Sequence, residues 1–389
     1  MGILRVLLAL SVLASHVGPI CGLHLVPGQI PVQSFCIISG FYMSLILNEK
    51  YIGNNSSFKL FITNRLLRLY PLYTAVLFIT FITNFLIAVS SNYQTFPVIE
   101  NYISANTSIS SYLFLILTNI VIVGQDVVMF LGINANTGNL FFTTDFWSTS
   151  PMLWTFLVVP QAWTLASEIT FYLVAPIILR RSLKIVLLII FISLSIRFFI
   201  YYYLSLKGDP WTYRFFPTEI FFFLLGYLSY RIYVLLKTYP VSITFKRLTL
   251  AVVVIYTVMY SFIPSSSSLI LQFYWRDIFY FLLLVFTIPI LFTYFKDSKM
   301  DTKIADLSYS IYLLHILISR ICYLLPYSIL KSPLCVAFVT ILFSLLLNVC
   351  VSVPIEKYRQ KRLRKRIQQT NDSDVIPKEY IFNQSLDVK

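Results

Sequence analysis

Apolar positions along this chain fall into long unbroken runs, not into the alternation of strands or the narrow stripe of a surface helix. Eleven runs stand out, at residues 4–23, 30–47, 70–90, 111–133, 163–180, 183–203, 215–236, 248–263, 275–295, 306–326 and 334–353. A helix rises ~1.5 Å per residue, so runs of about 20 residues match a hydrocarbon layer ~30 Å thick. The polar stretches between them are short. The pattern predicts an all-α polytopic membrane protein with one transmembrane domain over residues 1–355. Residues 356–389 read as a basic, then polar cytoplasmic tail that is expected to be disordered. The opening run, Arg5 followed by VLLALSVLAS, has no clean small-residue cleavage site after it and reads as the first membrane helix, not as a signal peptide.

Basic residues orient these segments. Lys50, Lys59, Arg65 and Arg68 cluster in one connection, Arg180, Arg181 and Lys184 in a second, and Lys237, Lys246 and Arg247 in a third. Lys296, Lys299 and Lys303 mark a fourth, ahead of the dense run from Lys357 to Arg366. The positive-inside bias makes all of these cytoplasmic, together with both termini. An odd number of crossings cannot satisfy that. The conflict lies between 91 and 162, where Lys and Arg are absent. Ten crossings follow if 111–133 is broken, re-entrant or surface-lying, and twelve if 141–160 crosses as well.

Composition narrows the class further. Hydrophobic residues make up 58% of the 389 positions and charged residues only 12%, about half the charged share of a soluble domain. The formal charge of +14 sits in loops and tail as membrane orientation requires, so nucleic-acid binding is not expected. Cys21, Cys36, Cys322, Cys335 and Cys350 are scattered through apolar segments without ligand spacing, and no metal site is expected.

An ionisable side chain inside a span costs a few kcal/mol and so marks a candidate site. Arg5 and His16 are eleven residues apart, which at ~100° per residue returns them to one helix face with a rise of about 16 Å. That places an anion-binding group near the surface and a base about halfway through the bilayer. A surface anchor and a packed histidine would explain the same pair. Arg65 and Arg68, at i and i+3, suit a phosphate-rich ligand, because a guanidinium bonds phosphate oxygens bidentately; ordinary cytoplasmic anchoring is the alternative. Glu168 lies six residues into its span, one turn from Tyr172, in the outer half of the membrane, where it would orient a hydroxyl or pair with Arg197 or Arg320. His315 is mid-span and suits either chemistry or structural hydrogen bonding. Nucleophile-elbow and P-loop patterns are missing, so the chemistry falls to intramembrane His, Arg and Glu.

Five of these segments, in order, resemble one family. Arg5 and His16 resemble its R-x10-H signature, and Phe35–Phe41, FCIISGF, its F-x-x-SG-F segment. Arg65-x-x-Arg68-x-x-Pro71 resembles its arginine motif, and the block from Trp163 through Glu168 to Tyr172 its W-S/T-L-x-x-E-x-x-F-Y motif. Ser308–His315, SYSIYLLH, is similar to its penultimate helix. The family is acyltransferase 3, integral-membrane O-acyltransferases of bacterial surface glycans. The resemblance implies transfer of an acyl group, most often acetyl, from cytoplasmic acyl-CoA to a hydroxyl of a surface polysaccharide (O-antigen, capsule or exopolysaccharide) or of its lipid-linked precursor, at the bacterial inner membrane. It implies that His16 is the base or acyl relay and that Arg5, Arg65 and Arg68 hold the coenzyme A phosphates. It places Glu168 on the acceptor side, with Tyr172 and Trp163 near the substrate. Ser39 and Gly40 are candidates for the oxyanion donor.

Two other functions fit the same charges. A membrane-bound O-acyltransferase of the MBOAT type would use His315 and leave His16 dispensable. A flippase or transporter for a lipid-linked sugar would line its pathway with these residues, but the count of only 11 glycines and the lack of an internal repeat argue against one.

Overall fold

The computed structural model describes residues 1–51, 57–90, 97–265 and 269–371. Helices dominate. The first three are α1 (Gly2–Val17), α2 (Gln29–Glu49) and α3 (Phe58–Ser90). Two short ones follow, α4 (Pro97–Ser104) and α5 (Ile109–Val121), then a hairpin of β1 (Leu131–Ile133) and β2 (Leu140–Phe142) with Leu131 opposite Phe142. The remainder is helical: α6 (Trp163–Ile178), α7 (Leu183–Phe198), α8 (Phe216–Thr238), α9 (Ile243–Met259), α10 (Trp275–Phe295), α11 (Lys299–Leu324), α12 (Pro333–Leu347) and α13 (Val353–Asn371).

Eight helical stretches among the described residues are long and apolar enough to cross a membrane. The chain is an all-α polytopic membrane protein. Its large exposed side chains, such as Phe78, Phe81, Phe85 and Leu86 on α3, are those of a surface that meets lipid. Two further helices do not reach that length. With 16 residues each, α1 and α6 are about 24 Å long. The run read as 4–23 stops at Val17 because Gly18 turns the chain with φ +101°.

The ambiguous stretch holds little regular helix. Of 111–133, only α5 is α-helical, and its 13 residues reach about 20 Å, short of the hydrocarbon thickness. Residues 141–160 hold the end of β2 and the 3-10 turns Phe146–Ser148 and Leu153–Phe156. Such irregular backbone cannot lie against lipid. The tail also differs from expectation: the chain stays helical from Val353 through Asn371, and Arg362 donates to Thr63 Oγ1 of α3 at 3.2 Å. Expected to be disordered from 356, the basic stretch instead continues the last helix, and the rest of the tail lies outside the described residues.

Two close helix pairs position the site. Between α2 and α8, a Cβ on Gly40 would overlap the Phe223 carbonyl, and one on Gly226 the Ile37 carbonyl, so the two backbones touch where only glycine fits. Between α1 and α11, the Gly2 N–H donates to Asp301 Oδ1 at 2.6 Å, and a Cβ on Gly2 would overlap the Asp301 carbonyl. These two helices therefore run parallel from a shared end. At that end α2 and α8 are tied by Lys237 to Glu49 at 2.7 Å, and Arg180 beyond α6 donates to the Tyr51 carbonyl at 2.5 Å. The basic clusters of the sequence meet there.

Candidate functional site

Because α1 and α11 start together, residues at like distances from their starts become neighbours. Arg5 and His16 keep the one-face relationship that their spacing dictates, but they meet different surroundings. Arg5 lines a cavity of about 120 Å³ walled by α1, α2, α3, α6, α8 and α11. Arg68 of α3, Glu168 of α6, and Ser39, Cys36 and Tyr42 of α2 also line it. From α6 and α11 come Tyr172, Tyr309 and Tyr312. Two guanidiniums and one carboxylate thus share a small chamber with a ring of hydroxyls, all contributed by helices far apart in sequence.

Hydrogen bonds fix this lining. Glu168 Oε1 accepts from Ser39 Oγ at 2.8 Å and from the Tyr172 hydroxyl at 2.5 Å. The second contact is the i, i+4 relationship within α6. Tyr309 donates to the Leu69 carbonyl at 2.9 Å, tying α11 to α3 beside Arg68. Tyr312 donates to the Gln161 carbonyl at 2.9 Å and accepts from Thr164 Oγ1 at 2.9 Å. Arg5 Nε finds no protein partner. The Asp306 carboxylate on α11 acts on both Arg5 and Arg68 through space. Two cations with an incomplete set of protein acceptors suit an anionic guest.

Next to the cavity stands a histidine pair. The rings of His16 and His315 are 5.1 Å apart between centroids. His315 is fully buried, and its Nδ1 lies 2.6 Å from the Tyr312 carbonyl. A carbonyl only accepts, so Nδ1 carries the proton and Nε2 presents a lone pair. That Nε2 is buried without a protein partner. His16 is exposed, in the final turn of α1. Tyr312 joins the two regions: it lines the cavity, and its ring lies 5.7 Å from that of His315.

Several sequence expectations change. Arg5, Arg68, Glu168 and Tyr172 come together as a cluster. Glu168 does not stand across the membrane from the arginines but faces the same chamber. His16 lies at the end of its helix, outside the cavity lining, instead of midway along a full-length span. Arg65 is not among the residues that line the chamber and is buried with its guanidinium 5.9 Å from the Phe61 ring. Trp163 is outside as well, packed on Tyr213 at 4.7 Å and under Arg214 at 4.3 Å at the start of α6. Ser39 is engaged by Glu168, and Gly40 is a packing position against α8, so neither is free to serve an oxyanion. Of the two alternative partners for Glu168, Arg197 pairs with Glu219 at 3.5 Å, where Gln33 donates to the same carboxylate at 3.2 Å, and Arg320 lines a separate small pocket.

The sequence reading gave no role to Asp306, Tyr309 or Tyr312. Their signal was present, since Ser308, Tyr309, Tyr312 and His315 repeat at helical spacing within α11. Tyrosine is also common at lipid interfaces, which masks an inward-facing row.

No curated protein and no solved structure matches this chain. The family model described as an acyltransferase domain, that of acyltransferase 3, matches residues 1–355, which takes in every helix from α1 to α12 and the whole of the cavity. The charged chamber and its neighbouring histidines therefore lie in an enzyme domain, and the chain belongs to the acyltransferase 3 family of membrane acyltransferases.

Proposed function

We propose that this protein moves an acyl group, most simply acetyl, from cytoplasmic acyl-CoA to a hydroxyl of a cell-surface polysaccharide or its lipid-linked precursor in a bacterial inner membrane. The observation that carries the reading is the single chamber in which Arg5 and Arg68 face Glu168, with a histidine pair adjoining it. In this reading the chain crosses ten times, through the eight long helices together with α1 and α6, which would put both termini and the basic clusters on the cytoplasmic side.

In this reading Arg5 and Arg68 hold coenzyme A phosphates, and Arg65 braces the helix turn that carries Arg68. The thioester extends along α1 toward His16, about 16 Å farther on. His16 removes the acceptor hydroxyl proton as that oxygen bonds to the thioester carbonyl carbon. The carbon–sulfur bond then breaks, and the coenzyme A sulfur leaves with a proton. His315 adjoins His16, and its free Nε2 lone pair offers a second acceptor for the hydroxyl proton. Glu168, held by Ser39 and Tyr172, orients the reacting groups, and Trp163 borders the acceptor approach.

Purified protein incubated with radiolabelled acetyl-CoA, followed by assay of label in glycan and of free CoA, tests the proposal. Turnover in wild type that His16→Ala abolishes supports it. Loss in His315→Ala alone would transfer the base role to His315. Wild type without CoA binding would leave a lipid-linked sugar transporter as the better account.

A further inference from the structure

A second, smaller pocket lies one turn beyond His315. Thr80 and Asn84 of α3, Gln161 ahead of α6, and Leu317 and Arg320 of α11 line it. The outward face of α3 is apolar, with Phe78, Phe81 and Phe85 exposed, whereas its inward stripe runs Tyr73, Val76, Thr80, Asn84 and Ala88. Two polar residues on that stripe point into protein and not into lipid.

Their side chains are buried and without protein partners. Asn84 is 1% exposed, Thr80 5% and Gln161 7%. Among the described residues, Thr80 Oγ1, Asn84 Nδ2, Asn84 Oδ1 and Gln161 Oε1 all lack a hydrogen-bonding group. Burying unpaired polar atoms is costly, and valine and leucine would fill the same shapes without that cost. A polar guest is what the arrangement suits. Gln161 is not adrift, because its Nε2 donates to the Leu313 carbonyl at 2.6 Å and its backbone carbonyl accepts from Tyr312. Its Oε1 is thereby held in place.

The mixture of groups identifies the guest. A phosphate would need donors only, and an ammonium acceptors only. Here the Arg320 guanidinium, an amide N–H and a threonine hydroxyl stand with two amide oxygens, the complement of a group that both donates and accepts; the two oxygens disfavour a phosphate, which only accepts. The volume of about 10 Å³ admits one hydroxyl-sized group. We infer that Thr80, Asn84 and Gln161 form the subsite that seats a hydroxyl of the sugar acceptor, beside the histidine pair. The inference rests on the acyl-transfer reading above and adds its acceptor side.

Steady-state transfer from radiolabelled acetyl-CoA to glycan extracted from membranes of the producing cell tests the site, with Asn84→Leu and Thr80→Val in the full chain. Losing one such hydrogen bond should raise the apparent KM for glycan about tenfold in each variant, with acetyl-CoA affinity within about twofold of wild type. Thr80→Val is near-isosteric and carries the test even if Asn84→Leu does not fold. An unchanged glycan KM in Thr80→Val and in any folded Asn84→Leu would overturn the inference and leave the pocket a seat for structural water. A parallel fall in acetyl-CoA affinity would overturn it as well, assigning the pocket to the donor path. Wild type that moves no acetyl group at all would overturn the acyl-transfer reading, and this site with it.

Discussion

His16 at the end of α1 and His315 in the middle of α11 face each other with ring centroids 5.1 Å apart, although 298 positions separate their numbers. The Tyr312 carbonyl holds the proton on His315 Nδ1, which leaves a lone pair on the buried Nε2. Two neighbouring bases that can exchange one proton are expected to behave as a unit.

Removing either histidine is therefore expected to lower turnover by about 10²- to 10⁴-fold, and the double variant His16→Ala/His315→Ala to be little worse than the poorer single one. Single-turnover kinetics with radiolabelled acetyl-CoA measure this. Fully additive losses would mean that the rings act independently.

Arg68 lines the chamber and Arg65 does not. In equilibrium binding of CoA, Arg68→Ala should weaken affinity about 10- to 100-fold and flatten its salt dependence. Arg65→Ala should act mainly on stability, because its guanidinium packs over Phe61. Equal affinity losses with equal melting temperatures would contradict this division.

Glu168 puts a carboxylate beside two guanidiniums. Glu168→Gln keeps an oxygen for Ser39 and Tyr172 but removes the charge, so turnover should drop about 10- to 100-fold. CoA affinity should hold or tighten, since one negative charge near the phosphates is gone. A loss of affinity that matches the loss of rate would instead make Glu168 a structural prop of the arginines.

Gly40 and Gly226 let α2 and α8 touch. Alanine at either should cost about 1–3 kcal/mol through forced separation of the helices, and the two changes should be less than additive because they open one junction. Thermal unfolding in detergent, followed by tryptophan fluorescence, reads this directly; unchanged melting would show that the junction yields freely.

Arg197 is buried against Glu219. Glu219→Ala leaves a guanidinium unpaired inside the bundle and should destabilise by about 3–5 kcal/mol, whereas Arg197→Met with Glu219→Leu should recover most of that loss. The same unfolding assay compares the three proteins, and a double variant as unstable as Glu219→Ala would refute the charge-pairing account.

Much of the architecture is legible from the residues alone, because span length, the lipid preference of side chains and the placement of Lys and Arg are one-dimensional properties. Runs of apolar residues become helices in a solvent that cannot hydrogen-bond the backbone. Helical periodicity likewise sets Arg5 and His16 on one face, and Glu168 within reach of Tyr172. The family resemblance was legible for the same reason, as ordered motifs along a line.

What periodicity cannot supply is which helix stands beside which, and at what height. Glu168 looked remote from the arginines when loops were counted, yet packing of α6 against α2 brings it into their chamber. Arg65 and Arg68 look equivalent in sequence, but a rotation of three residues about α3 sends one into protein and the other into the cavity. The meeting of His16 with His315, and of Thr80 and Asn84 with Gln161, depends on parallel packing of α1 with α11 and on the return of the chain after α5. Such contacts arise from the summed fit of many side chains across distant segments, and that fit exists only in three dimensions.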